Sequence, residues 1–354
     1  MDTSNEEKHK RILSWFFSPK NVKIMAPFLG VIVGLLLGAV LIIIAGAHPI
    51  GAYRVMINGA FGSSRQLIAT ILKTGPILLI GLGLTAAFRA KVWNIGAEGQ
   101  YFMGALLGGV IGLYFDHLPR VLLLFAMLLG GIIGGSLWAL IPAILKIKRG
   151  MNEIISTLML NYIAIFFLTY LTRGPLQDPD GFLPVSAQLD RVARLPQYFG
   201  TRIHFGIFLG LILIPLVYVL LWSTPLGFHL RAVGERSSVA KYAGVHVNMI
   251  ITFAIVFSGA LAGLAGIVEV SAIHSRLKPD ISVGYGFTGI LVALLGRMNP
   301  IGVALASFFF ASLTIGVEAM HVVYRLPITL AQAIQAIIVL SVLGIDAIAQ
   351  RRKA

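Results

Sequence analysis

The sequence predicts an all-α, polytopic membrane protein with about ten transmembrane helices, some of them short or broken. Of its 354 residues, 57% are hydrophobic and only 12% charged, roughly half the charged fraction of a soluble domain, and the mean hydropathy is +0.89. Apolar runs recur along the chain at about the 20 residues a spanning helix needs. Lys and Arg gather between and beside those runs, where membrane orientation explains them.

The runs are 25–46, 67–88, 101–115, 121–145, 154–171, 203–222, 249–270, 285–295, 301–319 and 328–345. Two of them, 101–115 and 285–295, are too short to cross alone. Short apolar segments flanked by Gly and Pro often mark broken helices beside a translocation path. The first run follows a basic stretch (Lys8, Lys10, Arg11, Lys20, Lys23) and has no small-residue cleavage site before His48 and Pro49. It is too long for the core of a signal peptide and is read as a retained helix. The expected organisation is a basic cytoplasmic segment 1–24, a membrane domain 25–345 and a basic cytoplasmic tail 346–354.

Orientation follows from the loop cations. With the N-terminus inside, the cytoplasmic segments hold Arg89, Lys91, Lys146, Lys148, Arg149, Arg231, Arg236, Lys241, Arg297 and Arg351, besides the terminal clusters. The net charge of +14 is thereby assigned to membrane orientation and not to nucleic acid. The chain has no cysteine, which excludes disulfides, zinc knuckles and thiol catalysis.

Glycines four apart (Gly30/Gly34/Gly38, Gly104/Gly108/Gly112, Gly131/Gly135, Gly259/Gly263) suit close helix crossings in lipid. Residues 84–96 (LTAAFRAKVWNIG) and 290–302 (ILVALLGRMNPIG) both run from an apolar helix through a basic turn to Ile-Gly and another apolar helix. This is a weak internal repeat, as transporters often contain.

Three polar segments stand out. The first, Asn94-Ile95-Gly96-Ala97-Glu98-Gly99-Gln100, lies between apolar helices. Its carboxylate and amides are costly near lipid unless they face protein or water. It is either part of a translocation pathway or a solvated cytoplasmic turn. In the second, Gly150 to Tyr162, Asn152 or Ser156 suits a helix cap, Glu153 suits the helix dipole, and Asn161 lies deeper and needs a partner. Asn94, Glu98, Gln100, Glu153 and Asn161 are the candidate pathway residues. The third, 224–248, reads as two short helices, one ending near Gly234 and one capped by Ser237 or Ser238 and stopped at Gly244. Lys73 and Glu269, near the outer ends of their runs, either snorkel or line a substrate vestibule.

No phosphate-binding loop, His-Glu-x-x-His, Gly-x-Ser-x-Gly or calcium loop occurs, and the eight histidines lack ligand spacing. Catalytic residues, bound metal and an enzymatic activity are therefore not expected.

On the same segments the chain resembles the permease subunits of bacterial ABC importers, in the branch serving simple sugars, branched-chain amino acids and nucleosides. Residues 94–100 resemble that branch's NIG-x-EGQ signature, and Arg231-Ala232-Val233-Gly234-Glu235 through Ala243-Gly244-Val245 its cytoplasmic coupling segment. Arg236 stands where Asn is usual, and Lys241 lies in a normally small-residue stretch. Ser258 to Gly266 matches the helix that follows. Gly150-Met151-Asn152-Glu153 with Met159-Leu160-Asn161-Tyr162 resembles the nucleoside (guanosine-type) subgroup.

The resemblance implies a transport subunit with no cofactor of its own. Separate ATPase subunits would bind ATP and Mg and engage Arg231, Gly234, Glu235, Ala240, Ala243 and Gly244. A second homologous permease and an extracytoplasmic substrate-binding lipoprotein would complete the machine. The lipoprotein would face loop 172–202 with Asp178, Asp180, Asp190, Arg191 and Arg194. The expected location is the bacterial cell membrane, with both termini cytoplasmic. A simple sugar such as ribose is the near alternative to a nucleoside, and an ion-coupled secondary transporter a further one. A membrane-embedded enzyme lacks any supporting constellation.

Overall fold

The computed structural model describes residues 19–351, so Lys8, Lys10, Arg11, Arg352 and Lys353 lie outside the described residues. Among the described residues there are thirteen α-helices and no strand. The helices are α1 (Pro19–Ile44), α2 (Pro49–Phe61), α3 (Ser64–Arg89), α4 (Ala97–Tyr114), α5 (Arg120–Arg149), α6 (Glu153–Thr172), α7 (Phe205–Ser223), α8 (Pro225–Glu235), α9 (Ser237–Tyr242), α10 (Val247–Glu269), α11 (Tyr285–Leu295), α12 (Pro300–Tyr324) and α13 (Ile328–Arg351).

Seven helices are long and apolar enough to cross a membrane: α3, α5, α6, α7, α10 with its extension to His274, α12 and α13. The pair α1–α2, bent by 116° at its break, makes an eighth if counted as one span. With the shorter α4 and α11, these elements account for all ten apolar runs. Two details differ from the sequence reading. Helix α2 coincides with no predicted run, because Arg54 and Asn58 interrupt its apolar character. It forms nonetheless by burying one stripe, Ala52, Met56, Gly59 and Ala60. Helix α4 begins at Ala97 and not at residue 101, so Glu98, Gly99 and Gln100 are helical and buried. A solvated turn is thereby excluded for them.

The chain divides into two compact units, one formed by residues 1–67 and 312–354, the other by 68–311. In the first, α1 lies along α13. A Cβ on Gly34 would stand 2.5 Å from the Ile338 Cα, and Gly30 faces Val342 as closely. The Tyr53 hydroxyl donates to the Leu35 carbonyl, tying α2 back to α1.

In the second unit, α4, α5 and α10 cross with their backbones in contact. Gly104 and Gly135 both meet Gly263, and Gly259 meets Gly135. This is the small-residue packing that lipid-embedded helices need when van der Waals contact drives association. A Cβ at Gly263 would sit on the Gly131 carbonyl oxygen and 2.8 Å from the Gly135 Cα. Gly263→Ala is therefore expected to cost about 1–3 kcal/mol of overpacking. In detergent it should lower the melting temperature and the folded yield. Gly344→Ala, with open space around it, should leave both unchanged.

The internal repeat is visible in backbone geometry. Helix α3 ends with the Val92 N–H donating to the Ala87 carbonyl, and α11 ends with the Met298 N–H donating to the Ala293 carbonyl. These are the long-range bonds of a Schellman-type helix end. Lys91 and Arg297, equivalent in the alignment of the two segments, both hold a left-handed conformation, with φ of 53° and 52°. The two turns touch: Arg89 Nε donates to the Met298 carbonyl at 3.1 Å.

Between α6 and α7 a long connection carries only one 3₁₀ turn, Arg191–Ala193. It is fastened to the end of α10, where residues 270–274 form a π-turn closed by Ser275 N–H to the Val270 carbonyl at 2.7 Å. Ser271 Oγ donates to the Ala193 carbonyl at 2.7 Å and accepts from Leu195 N–H at 3.1 Å. Ser186 N–H donates to the Leu277 carbonyl, while Ser186 Oγ accepts from Leu277 N–H, both at 2.9 Å. Asp178 pairs with Arg276 at 2.9 Å.

Candidate functional site: a polar turn, an exposed knob and a cavity

The turn between α3 and α4 gathers buried amides. Asn94, fully buried, uses both ends of its side chain. Its Nδ2 donates to Gln100 Oε1 at 2.9 Å and Ser258 Oγ at 3.0 Å, and its Oδ1 accepts from Gly96 N–H at 2.9 Å and Gln100 Nε2 at 3.1 Å. Asn161, also fully buried, accepts from Gly99 N–H at 2.8 Å and donates to the Ile95 carbonyl at 2.8 Å. Thr157 Oγ1 accepts from Ile95 N–H at 3.2 Å. The turn is thus pinned to α6 and α10. Asn94, Gln100 and Asn161 come together here with their polar atoms paired, together with Ser258 and Thr157, which are not among the candidate pathway residues of the sequence.

Glu98 points elsewhere. Its Oε2 accepts from Gly286 N–H, in the first turn of α11, at 2.6 Å. A carboxylate at a helix N-terminus satisfies orphan donors and suits the dipole. Glu153 stands apart from the cluster. It pairs with Lys146 at 2.6 Å, on a helix start capped by Asn152 Oδ1, which accepts from Ile154 N–H at 2.9 Å.

The segment 224–248 folds as predicted into two short helices. Thr224 Oγ1 accepts from Gly227 N–H at 3.1 Å and Pro225 occupies the first turn, which starts α8. Helix α9 follows Arg236 directly and has no side-chain cap, so neither Ser237 nor Ser238 plays the capping part expected of it. Gly244, at φ 84°, ends the helix as its left-handed freedom allows, with Val245 N–H donating to the Ala240 carbonyl at 3.0 Å. Gly234 is buried against the α3–α4 turn, where a Cβ would collide with the Arg89 carbonyl oxygen. The Arg231 guanidinium donates to the Leu221 carbonyl, and the Arg89 guanidinium stacks 5.0 Å from the Trp222 ring centroid. Ala240 is buried, whereas Glu235, Ala243 and Gly244 are exposed. Tyr242 projects with 94% of its surface exposed.

At the end of the unit that carries the α6–α7 connection is a cavity of about 220 Å³. Its polar lining is Lys73, Arg202, Glu269, His274, Asp280 and Tyr285. Glu269 is buried, lies 3.7 Å from His274 Nε2, accepts a hydrogen bond from Tyr285 and is attracted by Lys73. The Lys73 ammonium stands 5.7 Å from the Tyr285 ring centroid. Lys73 and Glu269 thus border one cavity. No spacing in the sequence signals that the two residues meet.

Of the connection's charges, Asp178, Asp190 and Arg194 are engaged within the chain, and Asp180 and Arg191 are exposed. His204 ends the connection, buried and with neither ring nitrogen hydrogen-bonded. Burial pushes its pKa down to about 4. An unfolded His titrates near 6.5, so between those values the opened segment binds a proton that the closed one refuses. The stabilisation is complete above about pH 6.5 and is lost as pH falls toward 4. Hydrogen–deuterium exchange over 195–206 should lose about tenfold in protection between pH 7.5 and 5.5. His204→Phe should remove that dependence.

The family model described as "Branched-chain amino acid transport system / permease component" matches residues 66–343. The chain belongs to this family. The chain is 35% identical over 325 residues to the glucose ABC transporter permease protein TsgB13 of Haloferax volcanii, covering 89% of this chain and 85% of that one. It is 34% identical over 330 residues to the guanosine ABC transporter permease protein NupP of Bacillus subtilis, covering 90% and 92%. Identity to the nucleoside ABC transporter permease protein NupB of Lactococcus lactis subsp. cremoris is 30% over 311 residues, covering 85% of each chain. No solved structure matches the chain. It is thus a membrane permease subunit of the ABC transporter class, a class whose subunits work with ATPase and substrate-binding partners.

Proposed function

We propose that this permease translocates nucleosides handed over by an extracytoplasmic binding lipoprotein, powered by separate ATPase subunits that bind ATP and Mg. A second homologous permease would complete the pathway. The observation that carries the mechanical half is the seat of Gly234 on the α3–α4 turn. ATPase closure would act on the exposed α9 knob, and α8 would deliver the displacement to that turn. Because Arg89 also binds the second repeat turn, one push reaches the ends of four helices. In this reading Asn94, Gln100 and Asn161 hold the frame of the pathway, Glu98 sets the start of α11, and Glu153 anchors α6. Arg231, Gly234, Glu235, Ala240, Ala243 and Gly244 make the coupling segment.

Support for a nucleoside comes from the Gly150–Tyr162 pattern and from the two relatives whose names specify guanosine or nucleosides. The relative named for glucose favours a second reading, the same role for a simple sugar such as ribose. Uptake of radiolabelled guanosine decides between them, in cells carrying the complete system against cells lacking only this chain. Uptake lost with the chain and blocked by unlabelled nucleosides but not ribose supports the first reading. Ribose uptake lost in its place supports the second.

Both termini and the α8–α9 knob are proposed to be cytoplasmic, in the bacterial cell membrane. The absence of cysteine makes this measurable. In intact cells a membrane-impermeant maleimide should label Phe182→Cys, at a fully exposed position in the α6–α7 connection, and spare Tyr242→Cys. The reverse pattern would invert the topology.

A further inference from the structure

We infer that the cavity bordered by Lys73, Glu269, His274 and Tyr285 is a subsite that reads the vicinal hydroxyls of the substrate's ribose ring. The inference rests on the nucleoside reading above. At about 220 Å³, the space is smaller than the roughly 300–1,000 Å³ of pockets that take a whole drug-sized ligand. It suits one ring of a nucleoside and not the entire molecule.

The lining decides which ring. Basic (Lys73, Arg202) and acidic (Glu269, Asp280) side chains share the lining, so it is mixed in sign and offers no array of cations for a phosphorylated ligand. A flat base is best held between apolar slabs, whereas a ring bearing hydroxyls on several edges needs polar partners on several sides. Here six of the eleven lining side chains are polar, and they come from α3, the α6–α7 connection, α10 with its π-turn, the loop after it and the first residue of α11; Ala69, Leu72, Ile273, Ile281 and Val283 complete the wall.

A carboxylate has two oxygens that accept from two adjacent hydroxyls, as it does from other paired donors. Glu269 is that group. It is buried, and its neighbours can exchange: the Tyr285 hydroxyl, now donating to it, can turn to a substrate oxygen. Lys73 brings a further donor to the lining, its ammonium over the Tyr285 ring at 5.7 Å from the centroid. A buried carboxyl facing two adjacent hydroxyls makes the diol the feature this cavity discriminates best.

The test compares initial uptake of tritiated guanosine and tritiated 2′-deoxyguanosine by cells carrying the complete transporter, each substrate saturating the receptor. The receptor is the same in every arm, so a ratio that changes with a variant of this chain belongs to the permease. Wild type should favour guanosine by up to about tenfold, the worth of one good hydrogen bond. Glu269→Gln and Tyr285→Phe should bring the ratio toward one. Tyr285→Phe keeps the ring and decides the matter if Glu269→Gln fails to accumulate. A wild-type ratio near one, or a ratio unchanged in Tyr285→Phe, overturns the inference. If the wild type carries ribose and no nucleoside, the nucleoside reading fails separately. The same comparison then runs with ribose and 2-deoxyribose.

Discussion

Uptake by cells carrying Gly234→Val is expected to fall at least about tenfold, with the chain still inserted and the ATPase still bound. A side chain at this position lands on the Arg89 carbonyl oxygen, and about 1–3 kcal/mol of overpacking must be relieved by lifting α8 off the turn. The knob would then still meet its partner through Tyr242 and Val239, both exposed, but its displacement would not reach α3 and α4. Co-purification of the ATPase with an uptake assay on the same cells separates the two steps. Glu235→Ala, one residue on and exposed, removes no buried contact and should have the smaller effect. Full uptake in Gly234→Val would take the seat out of the coupling path.

The second large effect is expected at Asn94→Leu. The leucine removes four hydrogen bonds at once and leaves the Gln100 amide and the Gly96 N–H buried without their partner. Each orphaned group costs about 1–3 kcal/mol, so a loss of several degrees in melting temperature is expected in detergent-solubilised protein. Adding Gln100→Leu should cost less than the sum of the two single changes, because the second substitution removes a group the first has already orphaned. Strict additivity would mean that the two amides do not act as one network.

The legibility of this fold varies with the physics of each element. All ten apolar runs became helices, since lipid leaves the backbone no other way to satisfy its N–H and C=O groups. Helix α2 does not show as an apolar run, because Arg54 and Asn58 make it too polar. The Asn94–Gln100 segment was recognisable as important from its composition. Its fold was not, because glycine beside polar residues resembles a turn until the partners on α6 and α10 are known. Lys73, Glu269 and Tyr285 meet only through tertiary packing, so no periodicity carried the cavity. The segment 224–248 is legible in outline, as two short helices with Gly244 for a stop, whereas its caps are not: α9 has no side-chain cap and Gly234 lies inside α8, one residue before its end.

The π-turn at the end of α10 sets an angular phase. In an α-helix each residue advances about 100°, so a residue five positions on points about 140° away from the first. A π-turn bonds residue i to i+5 and stacks those two positions nearly one above the other. That is why Glu269 and His274, five apart, both border one cavity. Deleting one residue from the turn would let it relax to an ordinary helix with little loss of packing upstream. It would also rotate everything beyond by roughly a quarter turn, swinging the histidine, and the anchorage of the α6–α7 connection with it, away from the carboxylate it now faces.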